Sequence, residues 1–203
     1  MFDYKFEVSL TNAEIMGLNA HFTPILRHYG TGESITTKSS KGDTIGIMKR
    51  GTAYLFTINR DAQRRILDCY GEGDMFRMNS PETEENLIFT AKTACDIDFI
   101  SYDRLITLDN AKLRELIADR LFGATRRRLL NHLDVMGQRT LRSKLTVYFE
   151  QLAQRGGRRF TLPMPYADLA DYLGSDRSAM MREIAAMTRD GIITANKGEI
   201  ELL

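Results

Sequence analysis

The spacing of apolar positions changes character three times along the 203 residues. In the first half, short apolar or alternating runs recur at intervals of roughly 8–15 residues. They are Ser34–Thr37, Thr44–Met48, Ala53–Thr57, Arg65–Tyr70, Leu87–Thr90 and Cys95–Ile100. Turn signals separate them: Gly30-Thr31-Gly32, Ser39–Asp43, Arg50-Gly51, Asn59-Arg60-Asp61 and Gly71–Asp74. That rhythm predicts an antiparallel barrel or jelly roll. From Asn110 to Met136 the period becomes helical, with Leu113, Leu116, Ile117, Leu121, Ala124, Leu129, Leu130, Leu133 and Met136 and no proline. A helix of about 25 residues is roughly 40 Å long. That exceeds what one face of a small domain covers, so either a second copy packs along it or the barrel does. Arg126-Arg127-Arg128 interrupts a strict heptad and leaves the register open. Gly137 ends this helix, and a further helix is predicted from about Arg139 to Gln154 through Leu141, Leu145, Phe149 and Leu152.

The last quarter holds the most specific pattern. Ala167–Leu173 is a short apolar-patterned helix, Gly174 a turn, and Arg177 onward a second helix. At about 100° per residue, with Arg177 as zero, Met181, Ala185, Ser178, Arg189 and Arg182 fall between about 40° and 140°. Met187, Met180 and Ile184 fall between about 280° and 340°. One side can pack on Leu169, Ala170 and Leu173; the other is small or cationic. Glycine tolerates the positive φ that ends the first helix, and Ser175 or Asp176 can cap the second. This is a helix-turn-helix, a device that places side chains in the DNA major groove. Read alone, the two arginines would also suit the surface of an ordinary helical hairpin. Gly191–Thr194 and Glu199–Leu202, around Asn196-Lys197-Gly198, form a two-stranded wing with Lys197 at its tip, within reach of a phosphate.

Charge agrees with this division. Residues 1–110 hold 12 Lys/Arg against 16 Asp/Glu, and residues 111–203 hold 16 against 11, within an overall formal charge of +1. The basic half is the one that carries the motif, as phosphate contact requires. Met1-Phe2-Asp3-Tyr4-Lys5 lacks a basic start followed by an apolar run, and no stretch approaches the ~18 apolar residues of a membrane span. Cys69 and Cys95 suit a reducing, cytoplasmic setting as small core residues, with a redox role left open. An enzyme of the cupin-like barrel type would need two or three histidines and a carboxylate at the barrel mouth. Only His21 and His28 lie in the first half, and no nucleophile elbow or phosphate loop occurs, so no catalytic or metal-binding residue is expected.

Taken together, the chain resembles the cyclic-AMP receptor protein/fumarate-nitrate regulator (Crp/Fnr) family of transcription regulators. The resemblance rests on Arg27–Ile35, Met48–Leu55 and Tyr70–Phe76 in the roll, on Ala91–Tyr102 leading to the long helix, and on Asp168–Gly174 with Asp176–Ala179. It implies an α+β fold. An N-terminal antiparallel β-roll, a cyclic-nucleotide-binding-like jelly roll, would occupy residues 1–109. A dimerisation helix would span 110–137 and a winged helix-turn-helix 138–203. It further implies a cytoplasmic homodimer on a palindromic double-stranded DNA operator, its recognition helices about 34 Å apart. Arg177, Ser178 and Arg182 occupy the family's base-reading positions, with Ser175, Asp176, Met181, Arg189, Tyr166 and Lys197 around them. Many members have glutamate where this chain has Ser178, so its half-site should differ. The segment Gln154–Arg159 lies where related activators touch RNA polymerase, and is either such a contact or simply a basic loop.

The effector side departs from the family. Cyclic-nucleotide binders use a Gly-Glu pair and, about ten residues on, an Arg-Ser or Arg-Thr pair. Here Arg77-Met78 and Glu85-Asn86 stand in those places. A carboxylate repels the cyclic phosphate that a guanidinium would pair, so cyclic AMP is not expected to bind. Two cysteines are too few for an iron–sulfur cluster, and His21, His28 and His132 are isolated as haem ligands. No cofactor is expected and no effector is identified. An apolar molecule would meet Met75, Phe76, Met78, Glu85, Ile88 and Phe89 near the roll's opening, and a self-filled barrel would show the same lining. The alternative to a DNA-binding regulator is a small-molecule sensor module with another output.

Overall fold

The computed structural model describes residues 16–18, 21–36, 43–60, 62–78 and 87–203. The turn residues Ser39–Gly42 and Asp61, and the segment 79–86 with Glu85, lie outside the described residues. The chain divides into two compact units, one of residues 4–62 and 67–127, the other mainly of residues 128–203 with Gln63–Ile66. The division falls inside the long helix, after Arg127, not at either of its ends.

The first unit is a β-roll. Strands β1 (Ile25–Tyr29), β2 (Thr44–Arg50), β5 (Met75–Met78) and β7 (Cys95–Ser101) form one sheet in the order β1-β7-β2-β5. Strands β3 (Ala53–Ile58), β4 (Arg64–Tyr70) and β6 (Ile88–Ala91) form the other, in the order β4-β3-β6. The β1–β7, β2–β5, β2–β7 and β3–β6 pairs are antiparallel. Side chains from both sheets make one core: Tyr29, Met48, Phe76, Ile97 and Phe99 from the first, Ala53, Tyr70, Phe89 and Ala91 from the second. The two-residue period of a strand sends alternate residues to the other face. There Ile45, Ile47, Met75 and Ile100 pack with Leu18, Phe22, Leu105, Ile117 and Leu121. Gly51 (φ +90°) turns β2 into β3, and a Cβ there would overlap the Ala94 carbonyl oxygen. The expected strand Ser34–Thr37 is reduced among the described residues to a single bridge from Ser34 to Thr90. β1 and β5 are strands that the alternation did not single out.

Helix α1 (Tyr102–Ile106) is one short turn capped by Ser101, and α2 (Ala111–Met136) is the long helix, 26 residues in length. Its faces are sharply divided. Ile117, Leu121, Ala124 and Val135 are buried, whereas Phe122, Leu129, Leu130 and Leu133 are more than half exposed. Taking Phe122 as zero, Leu129 and Leu133 lie within about 20° of it, and the buried set lies beyond about 200°.

In the second unit, α3 (Leu141–Gly156) begins at Thr140, whose side chain accepts from the Ser143 N–H, and ends at Gly157. The helix therefore extends past the expected Gln154, so that Gln154 to Gly156, half of the segment Gln154–Arg159, are helical. Strands β8 (Arg159–Thr161), β9 (Ile193–Asn196) and β10 (Glu199–Leu202) form a sheet in the order β8-β10-β9, so the wing has a third strand. Among the described residues, no helix is long and apolar enough to cross a membrane.

Candidate nucleic-acid interface

Two helices carry the motif, α4 (Tyr166–Leu173) and α5 (Arg177–Arg189). Gly174 closes α4 in the left-handed region (φ +60°), and the Ser175 N–H returns to the Ala170 carbonyl at 3.0 Å. Both features belong to a glycine C-cap. Of the two candidate caps for α5, Asp176 serves: its carboxylate accepts from the Ala179 N–H at 2.9 Å. Ser175 is partly buried, and its hydroxyl has no partner among the described residues.

Leu169, Ala170 and Leu173 of α4 are buried, as are Met180, Ile184 and Met187 of α5. The opposite side of α5 exposes Arg177, Ser178, Met181, Arg182, Ala185 and Arg189. Arg177 and Ser178 stand in the first turn, where the free N–H groups and helix dipole also favour an anion. No ion pair with another described residue engages Arg177, Arg182, Arg189 or Lys197. Their charges are thus available to an external polyanion. At the wing tip Lys197 (φ +47°) and Gly198 (φ +90°) both take positive φ, the requirement of a tight primed hairpin turn. Tyr166 differs from the other predicted residues: it is half-buried, its hydroxyl meets the Gly198 backbone, and burial raises its pKa.

Several supporting residues were not apparent from the pattern. Arg142 of α3 reaches Glu183 (Nε to Oε1, 2.5 Å) and Asp190 (Nη1 to Oδ2, 2.6 Å), and Lys144 donates to the Leu173 carbonyl at 3.0 Å. Asp168, buried in α4, pairs with Arg64 at 2.7 Å; Arg64 belongs to the stretch that clusters with this unit. His132 is buried with its ring edge-on to Tyr172, centroids 4.5 Å apart, and its Nδ1 has no partner among the described residues. Burial, reinforced by the charges of Arg65 and Lys144, pushes its pKa below the usual histidine value. An i, i+4 pattern shows which face a residue occupies, but not that cations more than twenty residues upstream of the motif will reach it.

The residues considered for an effector separate. Phe76 and Phe89 are buried and stacked, centroids 4.9 Å apart, with Tyr70 against Phe76 at 5.3 Å. They fill the roll core instead of ringing an opening. Gly46 leaves the space that the Phe76 ring takes. Met75 points to the other face, as strand alternation requires. Met78 packs on the core and Ile88 is partly buried. Arg77 is paired with Asp43, and its guanidinium lies 4.0 Å above the Tyr102 ring. Cys69 and Cys95 are buried free thiols, and burial raises the pKa of Cys95. His28 is exposed, and its Nδ1 lies 2.6 Å from Asp96. Among the described residues, no cluster of three or more His, Cys, Asp or Glu could hold a metal.

A capped helix with a buried apolar side and an exposed cationic side, followed by a three-stranded wing, defines a winged helix-turn-helix DNA-binding protein. Residues 127–203 match the Crp-like helix-turn-helix domain. Over 167 residues the chain is 25% identical to the nitrogen fixation regulation protein FixK of Rhizobium meliloti, covering 81% of this chain and 76% of that one. The fold is similar to FixK2 from Bradyrhizobium japonicum, with a TM-score of 0.68 at 18% identity over 89% of this chain and 92% of that one. It is also similar to a CooA mutant from Carboxydothermus hydrogenoformans, with a TM-score of 0.76 at 15% identity over 97% and 94%. The Crp-like domain, the FixK relative and the shared fold together support a DNA-binding transcription regulator of the Crp/Fnr type.

Proposed function

We propose that this regulator acts as a cytoplasmic homodimer that reads a two-fold symmetric operator, with Arg177, Ser178 and Arg182 of each α5 facing base edges. The carrying observation is the exposed side of α5, where these three residues stand opposite buried Met180, Ile184 and Met187. Arginine donates two hydrogen bonds to guanine O6 and N7, worth about 1–3 kcal/mol against another base. Arg189 and Lys197 suit phosphates. Met181 suits a thymine methyl. Asp176 supports the helix as its cap and Tyr166 through its wing contact. Dimerisation runs along α2, where Phe122, Leu129 and Leu133 form one exposed apolar stripe.

Cyclic AMP is not the controlling signal on this reading, because Glu85 stands where the family's phosphate-binding arginine would be. If the protein activates transcription, a polymerase contact at Arg158 and Arg159, beside the end of α3, is the corresponding surface. Gel shifts on duplexes that the wild type enriches from a random library test the central claim. Arg177→Ala should weaken the enriched site about 5- to 150-fold, from ~1–3 kcal/mol. Equal binding by wild type and variant would remove Arg177 from the reading face. Calorimetric titration of cyclic AMP should show no micromolar binding.

A further inference from the structure

Helix α5 has three faces. With Arg177 again at zero, the DNA-facing residues lie between about 0° and 140° and the buried ones between about 280° and 340°. Glu183 and Asp190, near 240° and 220°, form a third stripe, away from the DNA side. They are seven residues apart, about two turns or 10 Å along the axis. Both carboxylates converge on one guanidinium, that of Arg142 in the first turn of α3, through different nitrogens at 2.5 and 2.6 Å. A single bond would leave the helix free to roll about it. Two bonds on one stripe, from one planar and rigid fork, oppose both rolling and sliding. Two residues further along α3, Lys144 holds the last carbonyl of α4, Leu173, at 3.0 Å. The start of α3 therefore grips both helices of the motif.

We propose, resting on the DNA-reading role of α5, that Arg142 is a positioning residue that sets the rotation of the recognition helix and thereby sequence specificity. The lever arm makes small rotations costly. At a side-chain radius of ~6 Å, a 10° roll moves a base-contacting tip by about 1 Å. A preorganised polar contact tolerates ~0.5 Å. Contacts to phosphates accept such a shift, because a cation near a phosphate needs no fixed angle. Loss of the clamp should thus lower binding to the chosen sequence and spare binding to DNA in general.

The test uses the full chain and two duplexes of equal length, one enriched by the wild type from a random library and one its scrambled counterpart. Arg142→Lys keeps the charge but cannot form the two-armed fork. Glu183→Gln with Asp190→Asn keeps the shapes and removes the ionic partners. Both variants should lose at least tenfold in affinity for the enriched duplex. Affinity for the scrambled duplex should stay within about twofold, with the same salt slope and a nearly unchanged Tm. The proposal is overturned if Arg142→Lys retains the wild-type ratio between the two duplexes, because charge alone would then suffice. It is also overturned if both affinities and Tm fall together, the mark of a residue that merely holds the fold. A wild type that enriches no sequence would refute the base-reading role itself, and this proposal with it, before any variant is compared.

Discussion

Replacing both Leu129 and Leu133 of α2 by alanine should weaken self-association while leaving the protomer folded. Both side chains are 55% exposed in the single chain. Fully burying a leucine contributes about 1.5–3 kcal/mol, so covering the exposed half adds roughly 1 kcal/mol per side chain. In a two-fold dimer each position counts twice, giving about 4 kcal/mol for the pair. Alanine retains part of that surface, so a loss of about 3 kcal/mol is expected, or roughly a hundredfold rise in the dimer Kd. Sedimentation velocity over a dilution series measures this directly, and a thermal melt at low concentration reports on the protomer. Operator binding should become steeply dependent on protein concentration. A dimer Kd within threefold of wild type would show that this stripe is not the contact between copies and would move dimerisation elsewhere.

Other consequences are equally measurable. His132 is neutral when buried, with its folded pKa below the unfolded value near 6.5. The unfolded chain therefore takes up the proton first, and stability falls as pH drops through about 6.5 towards the folded pKa, with no effect above that window. Urea melts at pH 7.5 and 5.0 should show a larger loss for wild type than for His132→Gln; parallel losses would rule out this histidine as the source. Gly51→Ala combines a φ of +90° with overlap on the Ala94 carbonyl. It should cost about 3 kcal/mol or more, and a melting temperature equal to wild type would contradict the geometry at that turn. Asp176→Ala removes the α5 cap and should cost about 1 kcal/mol, whereas Asp176→Asn, which can still cap, should cost much less in the same denaturant series.

Repeating patterns carried much of this architecture in the sequence alone. Strand rhythm, the helical period from Leu113 to Met136 and the placement of Gly174 and Asp176 depend on local rules: a residue's face follows from its spacing, and a cap from chemistry within four positions. The division of α5 into a buried side and a cationic side was legible for the same reason. The alternation that predicted Thr44–Met48 and Leu87–Thr90 was equally local, yet it could not say what each face would meet. Only the fold decided that Phe76 and Phe89 stack in the space left by Gly46, so residues considered as pocket lining became core. Tyr166 was drawn towards the wing, His28 towards Asp96, and Arg142 towards two carboxylates more than forty positions away. Contacts of that kind depend on which surfaces the chain brings together after its local elements have formed. A period of 3.6 or 2 assigns each side chain a direction, but only tertiary packing supplies the partner found there.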